Sequence, residues 1–283
     1  MAADEFPAAG RSSHQTWKGK HMETVKSADG TVIAYERSGQ GPALIVSVGA
    51  FCTRQTFVPP DDLRQRFTVV TYDRRGRGDS GDTEPFTPER EYEDLAAVAA
   101  ATGPEPPFVL GHSSGAAIAL RAAAAGLPLA GIVAYEAPFL TEDAPRPAVD
   151  PAEHIRALVS SGRRGEAVTF WMSEVVRLPG ELLAQADGAP WVAALEPLVP
   201  TLVYDLAVTD GGVPTAELAK ITAPVLVLGG SNSPGWFRRS VAEQAAATPG
   251  AQLMMLDGHD HSAPPEVLSP ILIEFFAPSR PHA

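Results

Sequence analysis

The residues most able to do chemistry stand at 107–115. Phe108, Val109 and Leu110 make an apolar run that ends in Gly111-x-Ser113-x-Gly115, and residues 116–125, rich in alanine with Ile118 and Leu120, follow at helical spacing. Strand, sharp turn and helix are the context in which this pattern forms a nucleophile elbow. Strand and helix almost touch there, so both flanking positions must be small. In return the Ser113 hydroxyl stands clear of the backbone, and the N–H of Ser114 points where a developing oxyanion would sit. A chance pentapeptide would lack the strand before it and the helix after it.

Composition limits what else the chain does. In 283 residues, 45% are apolar and 20% charged, ordinary values for a globular domain, and the length suits one large α/β unit with an insertion. A net charge of −12 without any Lys/Arg run argues against nucleic acid or an anionic membrane surface as partner. A single cysteine, Cys52, excludes an internal disulfide and any multi-cysteine metal site, and agrees with the cytoplasmic location expected for the chain. No stretch reads as apolar and long enough to span a bilayer. Residues 1–22 hold no apolar run and end in His21-Met22, so they read as a tag remnant or disordered leader; residues 279–283 read as a tail.

The elements that must position Ser113 follow from alternation. Residues 23–27 and 31–37 flank Ala28-Asp29-Gly30 as a hairpin, and apolar runs at 43–48, 67–72, 107–111, 131–135, 224–228 and 251–256 read as strands. A helix is expected around 90–101. Short apolar strands separated by helix-length stretches imply a mostly parallel sheet of eight strands covered on both faces. Between 137 and 214 the rhythm breaks. Pro138, Pro145, Pro147 and Pro151 mark a linker, and helical stretches follow at 152–161, 165–177, 180–186 and 191–208. This all-helical insertion reads as a cap over the strand ends, on a core of residues 23–136 and 215–278. Its large side chains, Phe170, Trp171, Met172, Trp191 and Tyr204, are mostly cap core, with one or two facing a pocket.

From about residue 23 to 276 the chain resembles the α/β-hydrolases of the helical-cap type. The resemblance rests on Ser47-Val48-Gly49-Ala50-Phe51, on Tyr72-Asp73-Arg74-Arg75-Gly76-Arg77-Gly78-Asp79-Ser80, on the elbow, and on Asp257-Gly258-His259-Asp260-His261. It implies an α/β-hydrolase fold and a serine, acid, histidine order along the chain. The arginine- and glycine-rich turn reads as structural; it lacks the G-x-x-x-x-G-K-[ST] pattern of a phosphate loop.

The family also implies roles. The second oxyanion donor comes from the residue after a glycine at the third strand's end, which here is Ala50, with Val48 where histidine is usual. The spacing glycine, two residues, histidine selects His261 as base over His259. The usual aspartate after the strand at 224–228 is missing: Gly229-Gly230-Ser231-Asn232-Ser233-Pro234-Gly235 contains no carboxylate. Glu136, closing Val133-Ala134-Tyr135, stands at the strand end where certain haloalkane dehalogenases place their acid, and takes that role here; pairing with the Arg74–Arg77 turn is the competing reading, and Asp205 and Asp210 are the next acids. Asn232 is expected to approach the same face of the histidine. Phe51, His112, Phe139, Trp171, Trp191 and Trp236 are the expected pocket residues.

A serine in place of the aspartate nucleophile of dehalogenases and epoxide hydrolases favours an acyl-enzyme, hence cleavage of an ester, thioester or lactone of a small hydrophobic substrate. The alternative is a non-hydrolytic enzyme of this fold, a lyase, cyclase or cofactor-free oxygenase using the Ser113–His261 pair. No metal or organic cofactor is implied; the expected partner is a small-molecule substrate, and a homodimer stays open.

Overall fold

Runs of β-branched and leucine side chains, apolar on both faces, can only be satisfied inside a sheet covered twice. The computed structural model, which describes residues 21–183 and 189–277, builds eight strands, the central ones of this kind: β1 Glu23–Lys26, β2 Val32–Gly39, β3 Ala43–Ser47, β4 Thr68–Tyr72, β5 Phe108–His112, β6 Gly131–Tyr135, β7 Val225–Gly230 and β8 Gln252–Leu256. The spatial order is β1-β2-β4-β3-β5-β6-β7-β8. The β1–β2 hairpin pairs antiparallel with itself and with β4, and every later pairing is parallel.

The order reverses at β3, which has β4 on one side and β5 on the other, and the crevice beyond the strand ends at such a reversal is where open α/β sheets bind ligands. Register brings the relevant ends level: Ser47 faces Gly111, His112 faces Tyr135, and Tyr135 faces Leu228.

Helices α1 (Asp61–Arg66), α2 (Pro88–Thr102) and α3 (Ser114–Ala124) belong to the core, as do α9 (Thr215–Leu218), α10 (Gly235–Ala247) and α11 (Pro265–Phe275). Leu95, Val98, Ile118, Leu120, Leu218, Phe237 and Val241 bury one sheet face, and Leu63, Leu268, Leu272 and Phe276 the other. Each fully buried leucine or phenylalanine of this kind contributes about 1.5–3 kcal/mol. The cap helices are α4 (Pro151–Ser160), α5 (Arg164–Phe170), α6 (Gly180–Leu183), α7 (Pro190–Leu195) and α8 (Leu202–Thr209). A π-helical turn, Trp171–Val175, continues α5, and a 3₁₀ segment, Glu196–Thr201, joins α7 to α8. Asp150 caps α4 by accepting from the Glu153 N–H at 2.8 Å, with Pro151 at the first helical position.

One expectation needs correction. The helical run Pro190–Thr209 is long and apolar enough, by length and composition, to cross a membrane. Its apolarity has a use in the fold: Val199 and Leu202 are buried in the cap core and Val208 in the main core, and α8 packs on α2 and α3. Of the expected leader at 1–22, residues 1–20 lie outside the described residues, as does the tail at 279–283.

Candidate active site

The elbow has the backbone its glycines require. Ser113 sits at φ 57° and ψ −130°, a conformation that costs an L-residue on the order of 1–3 kcal/mol and persists only where surroundings enforce it. The enforcement is visible. The Ser113 N–H donates to the Tyr135 carbonyl at 2.9 Å, and its own carbonyl accepts from Ala116 N–H at 2.9 Å. A Cβ on Gly111 would fall 2.5 Å from the Ala116 Cα, and one on Gly115 would collide with the Ser47 carbonyl. Among the described residues four non-glycines have positive φ, and three of them are Phe51, Ser113 and Glu136. Strain is therefore concentrated where the sequence placed the chemistry.

Glu136 is fully buried at the end of β6, and its carboxylate is saturated. Oε2 lies 2.8 Å from Nδ1 of His261; Oε1 accepts from the Gly230 N–H at 2.8 Å and the Ser233 hydroxyl at 2.6 Å. No arginine of the Arg74–Arg77 turn pairs with it; those side chains bind other carboxylates. Burial alone would raise the Glu136 pKa, but the hydrogen bond and charge of His261, with Ser233 and Gly230, outweigh it and hold the group below its ordinary value. It is a carboxylate at neutral pH, so the Nδ1–H of His261 is the donor of this contact.

The histidine loop is pinned at successive residues. The His112 Nε2–H donates to the His261 carbonyl at 2.9 Å, and the Tyr135 hydroxyl donates to the Asp260 carbonyl while accepting from Ala263 N–H at 3.1 Å. The Asn232 N–H donates to the His259 carbonyl at 2.8 Å. Rings of His112 and Phe237 lie 4.7 and 5.4 Å from that of His261. Burial, with the like charge of His261, pushes the His112 pKa down to about 4, so His112 works as a neutral donor. His261, and not His259, receives the carboxylate.

Gly49 and Ala50 follow β3 directly beside the serine. A Cβ on Gly49 would stand 2.6 Å from Ser113 Cβ and 3.0 Å from its Oγ. Only glycine allows that approach. Phe51, in the left-handed region, turns its ring edge-on to Trp171 of the cap at 6.1 Å.

Other expectations are redrawn. Phe139 is fully buried, lies under the Arg121 guanidinium at 5.5 Å and belongs to the main core; it lines no open pocket. His112 serves the histidine backbone, as above. Trp236 stacks on Phe237 at 4.7 Å, one ring behind the histidine, and Trp191 packs half-buried on the cap core. Asn232 is exposed, with Nδ2 donating to the Gly258 carbonyl at 2.9 Å; the loop meets Glu136 through Ser233 and Gly230 instead.

Sequence reasoning missed a buried ionic cluster. Arg74 pairs with Glu91 and with Asp205 of α8, each at 2.7 Å, and Arg77 pairs with the other Asp205 oxygen at 2.7 Å. Ser114 Oγ donates to Asp205 at 2.6 Å. Burial would raise the Asp205 pKa, but Arg77, Arg74 and the Ser114 hydroxyl hold it below its ordinary value. The signal available was a lone aspartate amid Leu202, Val203, Tyr204, Leu206, Ala207 and Val208. For Ser233 the signal was a serine in the loop that had lost its carboxylate. Among the described residues no group of His, Cys, Asp and Glu is arranged to hold a metal ion.

Known proteins share this arrangement of elements. A model of the alpha/beta hydrolase family matches residues 43–269. The crystal structure of an alpha/beta hydrolase from Sphaerobacter thermophilus is 44% identical, with a TM-score of 0.84, over 90% of this chain and 100% of that one. An esterase from a Rhodococcus species is 23% identical, TM-score 0.65, over 90% and 98% of the two chains. The enol-lactonase from Burkholderia xenovorans is 18% identical, TM-score 0.65, over 90% and 100%; these last two share the fold. With its eight-stranded sheet, its elbow and a family match over most of its length, the chain belongs to the alpha/beta hydrolase family.

Proposed function

We propose that the protein is a serine hydrolase that cleaves an ester, thioester or lactone bond of a small hydrophobic substrate through an acyl-enzyme on Ser113. The observation that carries this reading is the 2.8 Å contact of Glu136 Oε2 with His261 Nδ1, beside a serine held in a strained elbow. The carboxylate fixes the tautomer in which Nε2 of His261 is the base. Ser113 Oγ attacks the carbonyl carbon as its proton passes to Nε2. The oxyanion that forms is met by the N–H groups of Ala50 and Ser114. Collapse expels the alcohol, thiol or ring oxygen, which takes the proton from His261. Water then attacks the acyl-enzyme, again losing its proton to Nε2, and the acid is released with Ser113 restored.

The charge balance favours a neutral substrate. Arg74 and Arg77, the arginines beside the elbow, are spent on Asp205 and Glu91 inside the protein. Phe51, half-buried and edge-on to Trp171 of the cap core, offers aromatic surface next to the Ala50 peptide. The likeness to an esterase and to an enol-lactonase agrees with acyl chemistry.

A fluorophosphonate probe tests the reading. Stoichiometric labelling at Ser113, lost in Ser113→Ala, together with turnover of short p-nitrophenyl esters, is the expected result. A wild-type protein that is folded, unlabelled and inactive on the whole ester panel would refute it and return the site to a non-hydrolytic chemistry.

A further inference from the structure

Arg77 and Asp205 do more than bind each other. Arg77 Nη1 donates to the Gly49 carbonyl at 2.6 Å and, more weakly, to that of Cys52 at 3.5 Å, while Nε donates to Thr201 of the cap at 3.0 Å. The Gly49 carbonyl and the Ala50 N–H are the two ends of one peptide. That unit is planar and trans, so its oxygen and its hydrogen point opposite ways. A guanidinium that grips the oxygen therefore sets the direction of the N–H, and polarises it as a donor. Arg74 treats the neighbouring peptide similarly, reaching the Val48 carbonyl at 3.4 Å and Ser114 Oγ at 2.9 Å. One cap side chain ties both arginines: Asp205 Oδ1 accepts from Arg74 and Ser114, and Oδ2 from Arg77.

We propose that Asp205 is a positioning residue for the oxyanion hole. Through Arg77 it orients the Gly49–Ala50 peptide, and through Ser114 it anchors the first turn of α3. The hole is thus completed by the seated cap. The inference rests on the acyl-enzyme reading above, because it needs an oxyanion to be held.

Asp205→Asn keeps the shape but must turn an NH₂ towards one arginine. With its oxygen kept on Arg74 and Ser114, the amide meets Arg77 donor to donor, and Arg77 leaves the Gly49 carbonyl. Loss of one oxyanion donor costs on the order of 10²–10³ in kcat. The expected result is a kcat lower by about 10²-fold with KM within about threefold. A trifluoromethyl ketone, which carries an oxyanion once Ser113 adds to it, should bind weaker by the same factor, and the matching methyl ketone should bind as before. Loss of packing alone would weaken both ketones together.

Asp205→Asn leaves a buried arginine short of charge and can fail to fold, so Arg77→Lys is made alongside. Its single ammonium keeps the charge and cannot span both Asp205 and the Gly49 carbonyl. Folded Arg77→Lys or Asp205→Asn with wild-type kcat and an unchanged ratio of the two ketone affinities would overturn the proposal. The acyl-enzyme reading fails separately, and takes this one with it, if wild-type Ser113 does not react with a fluorophosphonate.

Discussion

Replacing Glu136 with glutamine changes one atom and removes one charge, and the surroundings decide what the amide does. Oε1 receives two donors, the Gly230 N–H at 2.8 Å and the Ser233 hydroxyl at 2.6 Å. The first is a backbone group at the end of β7 and cannot turn round. In the glutamine variant the amide oxygen therefore stays on Gly230, and the NH₂ faces Nδ1 of His261. That nitrogen must then accept, which moves the ring proton to Nε2 and leaves no base for Ser113. The flipped amide restores the tautomer but sets NH₂ against the Gly230 N–H inside a buried site, where an unmet donor costs about 1–3 kcal/mol. The first arrangement wins. A triad forced into the wrong tautomer loses about 10⁴ in kcat, or about 5.5 kcal/mol of transition-state stabilisation. The assay is p-nitrophenyl ester hydrolysis at saturating substrate, with near-UV circular dichroism to show that the site is intact. Ser233→Ala makes the control: Oε1 keeps Gly230, the charge stays, and kcat should fall less than about tenfold. A folded Glu136→Gln enzyme within tenfold of wild type would refute the reasoning and make Ser113 and His261 a dyad.

The two histidines should separate clearly. His261→Ala is expected to cost on the order of 10³-fold or more in kcat and His259→Ala far less, and the reverse ranking in the same ester assay would show that the base was misassigned. Gly49→Ala would press a methyl within 2.6 Å of Ser113 Cβ, so the nucleophile must shift; the rate of fluorophosphonate labelling should drop by at least tenfold, and an unchanged rate would mean that the Gly49–Ser113 contact is not tight. His112 gives a pH signature. Its folded pKa, about 4, lies below the unfolded 6.5, so the unfolded chain protonates first and the stability due to neutral His112 is complete above pH 6.5 and lost as pH falls towards 4. Melting temperatures of His112→Gln should be flatter across that window than those of wild type, and parallel curves would contradict it.

Features set by neighbours in the chain were legible in the sequence. The elbow needs only a strand, three spaced small or hydroxylated residues and a helix, all within 107–124, and its glycines are required by contacts at Gly111 and Gly115 that follow from that geometry alone. Features set by which way a side chain points across the fold were not legible. Asp205 meets Arg74 across 131 positions, and a lone aspartate in the apolar run Leu202–Thr209 signals burial without telling that its partner is a turn after β4. Phe139 failed for the same reason, since an aromatic in a linker carries no mark of the face it will cover. The run Pro190–Thr209 was legible as a helical stretch, but its apolar length was not weighed as a whole, and which of its side chains the fold buries is set by the cap and core it packs on.

The contact of Glu136 with His261 was legible through an absence, and the sheet explains why the absence was tolerable. β6 and β7 are adjacent and parallel, with Tyr135 level with Leu228, so the residues just past either end can address the same side of His261. A carboxylate can therefore stand on β6 instead of β7 provided the vacated loop supplies what a buried carboxylate needs. It does so with the Gly230 N–H and the Ser233 hydroxyl. Gly230 has a second constraint, because a Cβ there would fall 2.5 Å from the His259 carbonyl, where the histidine loop crosses over it. The loop at 229–235 and the end of β6 thus form one unit: the acid, its donors and the histidine they hold must change together. Moving the carboxylate back by Asn232→Asp alone would place it on an exposed side chain that faces Gly258, out of reach of Nδ1, and should restore nothing to Glu136→Gln.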